Sequence, residues 1–181
     1  MDNIDNFKSL SEEFSESFFI AHKLSKLGPV IVESDFHTTD SDINIEAQYH
    51  KCFYEDGMLK DILQEEQSTK FISAIKKPDN TLIGVACLVS NSKVQELACY
   101  IEKPDNFIGV DNIFIFDEYR SLGLSTILMR EHLNLLTNLY RTRFKITPCI
   151  AIQDHAYDYY HGLTECDMIP YDWYDLEVNQ E

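Results

Sequence analysis

Residues 113–130 hold the clearest chemistry in this chain. The run IFIFDEYRSLGLSTILMR carries a β-branched and aromatic strand into the turn Arg120-Ser121-Leu122-Gly123-Leu124-Ser125, then straight into an amphipathic helix. The first turn of a helix has backbone N–H groups with no intrahelical acceptor, and they lie at the positive end of the helix dipole. Such a junction suits a phosphate or pyrophosphate. Gly123 allows close approach of the backbone to an anion, and Arg120 adds a charge-assisted contact. Two more groups have types suited to proton transfer. One is the tyrosine-rich segment from Gln153 to Leu163; the other is Asp111, the one ionisable residue of the strand before the turn. A short glycine pattern alone is weakly specific, because many βα turns contain one.

Taken with the order of elements around it, this stretch resembles motif A of the GNAT superfamily of N-acetyltransferases. That motif is a hydrophobic strand followed by Arg/Gln-x-x-Gly-x-Gly/Ala. Arg120 and Gly123 match, and Ser125, also small, stands where the family usually has glycine or alanine. The resemblance implies that acetyl-coenzyme A is the donor. The backbone of Ile113, Phe114 and Ile115 would pair with its pantetheine arm like an added strand. Arg120 and the N–H groups of Ser121, Leu122, Gly123, Leu124, Ser125 and Thr126 would hold its pyrophosphate.

The family's second signature runs Asn-x-x-Ala-x-x-x-Tyr, with Gly-Phe a few residues on. Ala156 and Tyr160 keep its spacing, Gly162-Leu163 stands for Gly-Phe two residues early, and the asparagine is absent. The resemblance implies that the Tyr160 phenol protonates the departing thiolate. Tyr159 is a substitute, and tyrosines packed on the core with wet hydroxyls are the plainer alternative. Some family members carry a histidine or an acid near Asp111, which makes Asp111 the candidate general base, often acting through water. The plainer alternative is a polar residue on an open face that binds a cationic acceptor or meets solvent. Glu96 and Glu102 are weaker candidates. The alternating run Tyr171-Asp172-Trp173-Tyr174-Asp175 suits either an acceptor pocket for a cation or a half-buried edge strand.

Composition bounds these readings. At 181 residues the chain fits one domain, and 44% hydrophobic with 25% charged residues is ordinary for a soluble globular protein. With 15 basic against 31 acidic residues the net charge is −16, so direct nucleic-acid binding is not expected. That charge suits a cationic acceptor or simply keeps the protein soluble; an acidic face that occupies a partner's nucleic-acid site is a third reading. No apolar run reaches the length of a membrane span, and the acidic N-terminus has no signal pattern, so a cytoplasmic protein off the membrane is expected. The five cysteines form no C-x-x-C pair and the six histidines are dispersed, so neither a disulfide framework nor a metal site is signalled.

The positioning elements follow from patterning. A helix is expected over residues 9–27, with Ser9 and Glu12 as a capping box and Leu10, Phe14, Phe18 and Ala21 at helical spacing. Gly28-Pro29 ends it. A short strand follows at 30–32, a loop over 35–43, and helices over 43–53 and 58–64. Strands at 71–75 and 82–89 are joined by Lys77-Pro78-Asp79-Asn80, a hairpin turn. Residues 92–102 suit either strand or helix. The core strand spans 108–116, and a helix over 122–139 carries the stripe Leu124, Ile127, Leu128, Leu135 and Leu139. A strand over 144–152 contains Pro148, tolerable beside a gap in the sheet. A helix over 154–161 and a strand region over 164–177 complete the chain.

The expected fold is α/β with a mixed sheet. By the resemblance it is a GNAT-like acyl-CoA N-acyltransferase fold with a splayed central sheet and an extra N-terminal helix. Residues 1–27 form the helical extension and 28–181 the acetyltransferase domain. The expected function is direct transfer of an acetyl group to a primary amine of a small, cationic molecule or a peptide, by a monomer or homodimer without a metal. The Phe18-Phe19 pair covers either the domain core or a dimer partner. The alternative is a catalytically degenerate, acidic protein of the same fold that acts by binding a partner.

Overall fold

Among the described residues, seven strands cross a single sheet in the order in which the chain makes them. A computed structural model describes residues 3–22, 26–38, 68–92, 94–95 and 104–172. The elements are α1 (Asn3–Glu13), β1 (Phe18–His22), β2 (Val30–Thr38), β3 (Thr69–Lys76), β4 (Leu82–Ser90), β5 (Phe107–Ile115), a 3₁₀ turn (Asp117–Tyr119), α2 (Leu124–Phe144), β6 (Cys149–Gln153), α3 (Asp154–Tyr160) and β7 (Asp167–Tyr171). The sheet is mixed. β1 to β5 pair antiparallel, whereas β5–β6 and β6–β7 are parallel, each connected through a helix.

The first helix is shorter than its sequence pattern suggested, and the chain reverses into a strand. Phe14, Phe18 and Ala21 keep helical spacing, but Phe18-Phe19-Ile20 is also a run of strong strand formers, and it pairs along Val30–Ser34 of β2. α1 itself buries Asn6, Phe7 and Leu10. Full burial of Phe7 and Leu10 stabilises the fold by about 1.5–3 kcal/mol each. Asn3 fixes the start of α1 by donating to the carbonyls of Asp105 (2.6 Å) and Phe107 (3.0 Å). Residues 3–22 therefore belong to the same core and sheet as the rest of the described chain.

β2 also runs further than the apolar triplet at 30–32. Ser34 and Phe36 continue the buried face of Val30 and Val32, while Glu33, Asp35 and His37 alternate to the other side. Continuous pairing with β3, from Ile31↔Lys76 to Thr38↔Thr69, carries the polar residues into the strand. The β3–β4 hairpin forms as its turn chemistry dictates, with Asn80 at φ 69° and the Asp79 carboxylate accepting the Thr81 N–H at 3.0 Å. In the ambiguous segment after β4, Asn91 caps a helical turn, its Oδ1 accepting the Val94 N–H at 2.7 Å. The expected helices at 43–53 and 58–64 lie outside the described residues, as do Glu96, Glu102 and residues 173–177.

One apolar cluster fills the space between the sheet and helices α1 and α2, and a second lies on the opposite face. On α2 the fully covered stripe is Leu124, Leu128, His132, Leu136 and Tyr140, spaced by four. Ile127, Leu135 and Leu139, expected in that stripe, are only partly buried. α2 starts at Leu124 and extends to Phe144, so the segment foreseen as strand from residue 144 begins only at Cys149, and Pro148 precedes it. No helix among the described residues is long and apolar enough to cross a membrane.

The sheet forks between β5 and β6. Their registered pairs are Phe107↔Cys149, Gly109↔Ile150 and Val110↔Ala151, with an irregularity between Phe107 and Gly109. A Cβ on Gly109 would lie 2.3 Å from the Val89 carbonyl oxygen, so only glycine permits this approach. Beyond Val110, β5 continues to Ile115 beside β4 alone.

Candidate functional site

A groove follows the fork. A cavity of about 440 Å³ is lined by Ile113, Phe114 and Ile115 of β5, Arg120, Ser125 of α2, and His155, Ala156, Tyr159 and Tyr160 of α3. A second, of about 200 Å³, adds Tyr119, Ser121, Gly123 and Leu124 and shares Ile115, Arg120, Ser125 and Tyr159. Ile113 and Ile115 pack with one core cluster and Phe114 with the other. A groove touching all three runs along the edge of β5, not over one face.

Hydrogen-bond parity shows which backbone groups meet that edge. Phe116 N–H donates to the Ile83 carbonyl at 3.0 Å, and the β4–β5 register continues from there. In an antiparallel ladder, alternate residues then turn their N–H and C=O away from the partner. Those residues are Ile113 and Ile115. The Ile115 carbonyl accepts Arg120 Nε–H at 3.0 Å, as this parity requires.

The turn closes the groove with a helix N-terminus. Ser121 and Gly123 both adopt left-handed backbone, at φ 63° and 76°. Gly123 is the N-cap and has no side chain to satisfy the helix, whose first backbone bond is Ile127 N–H to the Gly123 carbonyl at 3.4 Å. The N–H groups of Leu124, Ser125 and Thr126 precede that bond at the positive end of a 21-residue helix. Arg120 is held beside them. Its Nη1 pairs with Asp117 at 3.0 Å and its guanidinium lies 5.9 Å from the centre of the Phe114 ring. Of the expected anion-binding residues, Leu122 instead packs against the core, and neither it nor Thr126 lines the two cavities.

α3 forms the opposite wall. Tyr160 is only 7% exposed, Tyr159 is 72% exposed, and their rings meet edge-on at 5.3 Å. Burial holds the Tyr160 phenol above the ordinary tyrosine value; a hydrogen bond with Ser125 opposes this, and Tyr159 adds to it. The phenol is thus kept by burial in its O–H form in the groove wall. Its bond to Ser125 also ties the residue that departs from the motif A pattern to the tyrosine of the second signature.

Asp111 lies elsewhere. It is fully buried, and its carboxylate faces α2 instead of the groove. His132 Nε2 lies 2.8 Å from Asp111 Oδ2, His132 Nδ1 2.6 Å from Ser73 Oγ, and Ser73 Oγ 2.7 Å from Ser34 Oγ. An assignment that satisfies these contacts has Nε2–H donating to Asp111, Nδ1 accepting from Ser73, and Ser73 accepting from Ser34. As placed, the carboxylate cannot take a proton directly from an amine in the groove. The order serine–histidine–aspartate is that of a hydrolytic triad, but a serine with no exposed surface meets no substrate.

His132, Ser73, Ser34 and the groove residue His155 were not singled out in the sequence as site residues. His132 did carry a signal, a polar residue four places from Leu128 and Leu136 on an apolar stripe. The described thiols are inert by placement: burial pushes Cys149 up to about 12 and raises Cys166 further, with Asp111 among the charges that add to it. Tyr171 is buried and Asp172 exposed, while residues 173–175 of the aromatic-acidic run lie outside the described residues. Among the described residues no three His, Cys, Asp or Glu side chains converge as metal ligands. Comparison of the chain with protein-family models and with curated proteins gave no match.

Proposed function

We propose that the chain is an N-acetyltransferase with a GNAT-like fold, moving an acetyl group from acetyl-coenzyme A to a primary amine by direct transfer. The observation that carries this reading is the groove at the fork. There a strand edge beyond its last pair with β6, a helix N-terminus with no side-chain cap beside an arginine, and a buried phenol line two cavities that share Ile115, Arg120, Ser125 and Tyr159. An extended amide-bearing arm fits the strand edge, where Ile113 and the Ile115 N–H offer backbone groups with the spacing of an added strand, the Ile115 carbonyl being held by Arg120. A pyrophosphate fits the N–H groups from Ser121 to Thr126, with Arg120 beside them.

The donor supplies the activated acyl group, and the chain supplies position and a proton. Holding both reactants in one groove removes the entropy of their encounter. Tyr160 O–H gives its proton to the departing sulfur. The amine must also lose a proton; with Asp111 buried, His155 is the acceptor that the described lining supplies, directly or through water. The net charge of −16 favours a cationic acceptor, a small amine or a basic peptide, through long-range attraction.

The test is release of free coenzyme A thiol from acetyl-coenzyme A in the presence of a panel of diamines, polyamines and lysine-bearing peptides. Amine-dependent release supports the transferase. Binding of the donor without release for any amine favours the second reading, a catalytically degenerate protein that binds a partner. The specific observation on that side is that, among the described residues, no carboxylate lines the groove.

A further inference from the structure

We propose that the buried Asp111–His132 contact positions the groove: it ties β5 to α2 where β5 loses its parallel neighbour, and so sets the separation between the strand edge and the helix N-terminus. This rests on the reading of the groove as the coenzyme site. Asp111 is the first β5 residue beyond Val110↔Ala151, the last registered pair with β6. From there to Ile115 the strand has sheet support on one side only, and a side-chain tether substitutes for the missing ladder. The tether ends on α2. His132 lies about 12 Å along the helix from Leu124, at about 1.5 Å per residue, so a rigid helix links it to the groove end.

The histidine is itself held from the fully paired half of the sheet. Phe71 of β3 stacks on its ring at 4.9 Å and 19°, Ser73 of β3 holds Nδ1, and Ser34 of β2 holds Ser73. The chain therefore runs from β2 and β3 through α2 to the vertex of the fork. Replacing a buried polar pair by well-packed apolar side chains of similar size is often neutral or stabilising. The tether's geometry, which joins β5 and α2, two of the elements that line the groove, and anchors them on β2 and β3, accounts for it better than stability does. Asp111 is thus a positioning residue, acting through His132.

The experiment compares three variants of the full chain: Asp111→Val, which places a strand-favouring residue there but drops the tether; Asp111→Asn, which keeps an oxygen for Nε2–H; and Leu10→Ala, a core deletion in α1 at a residue that does not line the groove. Each is titrated with coenzyme A, and its stability is measured by chemical denaturation. Asp111→Val is expected to lose affinity by about tenfold or more, as a misplaced reactive edge would. Asp111→Asn should stay within about threefold of wild type. Leu10→Ala should bind as wild type although destabilised. Wild-type affinity in Asp111→Val, or an equal loss in Leu10→Ala, overturns the proposal. If Asp111→Val does not fold, Ser73→Ala takes its place with an expected loss of about threefold, and wild-type affinity in it overturns the proposal. If wild type does not bind coenzyme A, the acetyltransferase reading fails separately. Amide hydrogen exchange at Ile113, Ile115 and Leu124–Thr126 then decides. Faster exchange there in Asp111→Val than in Leu10→Ala supports the positioning role, and equal exchange overturns it.

Discussion

The two halves of the sheet solve the same pairing problem differently. From β1 to β4 each strand is registered along nearly its whole length, and Phe71, Ile75, Val85 and Leu88 are buried. From β5 to β7 the strands are parallel, β5 and β6 share three registered pairs, and the space they leave holds a groove lined by Arg120, His155 and Tyr160. Where backbone groups are satisfied by neighbouring strands, side chains are free only to pack. Where pairing stops, backbone and polar side chains become available to a ligand, and the protein must hold the gap open by other means. Here those means are a left-handed turn, a helix end and a buried polar tether.

That contrast predicts a split between stability and function. Ile75→Ala, in the paired half, should cost about 2–5 kcal/mol in chemical denaturation, with donor affinity of the folded protein unchanged. A parallel loss of affinity would show that the halves are not separable. At the fork, Tyr160→Phe should lower kcat by about 100-fold while KM for the donor holds, read by thiol release. Equal kcat would assign the proton to another group. Because burial raises the Tyr160 phenol, the acid stays protonated through the ordinary tyrosine range near 10, so kcat should not fall with pH below that value through this residue.

Smaller effects sharpen the comparison. Arg120→Ala should weaken the donor by about tenfold and leave the denaturation midpoint close to wild type, since the guanidinium is largely exposed. At the hairpin turn of the paired half, Asp79 is held below its ordinary carboxylate value by hydrogen bonds from Thr81. A lowered carboxylate favours the folded state above the unfolded pKa and loses that contribution as pH falls through the folded one. Asp79→Asn should therefore remove a slight acid-side loss of stability, with no change in donor affinity, as checked by melting curves between pH 3 and 7.

The sequence was legible where local chemistry decides. Lys77-Pro78-Asp79-Asn80 imposes its hairpin, and the run from Ile113 through Gly123 imposes strand, turn and helix with two left-handed residues. It misled where two periodicities fit one segment. Phe14, Phe18 and Ala21 satisfy a helix, yet Phe18–His22 gains a full strand register from β2, a partner that spacing alone does not reveal. Asp35 and His37 looked like loop residues because they alternate with a short buried set. The groove lining was largely readable, because motif-like spacing is local along the chain. The fate of Asp111 was not, since its partner His132 lies on the next helix and Ser73 and Ser34 on strands far earlier. Only the tertiary arrangement decides whether an acid on a strand faces the groove or the core.

The central claim is that the fork binds acetyl-coenzyme A, and calorimetric titration of wild type beside Gly123→Trp tests it most directly. Gly123 lines the smaller cavity and nothing lies within 4 Å of where a Cβ would sit, so an indole there has room to obstruct it, with local backbone strain at φ 76°. The account predicts saturable binding of one donor per chain in wild type and none in Gly123→Trp. No heat of binding in wild type at about millimolar donor, the weak limit of specific recognition, would contradict it.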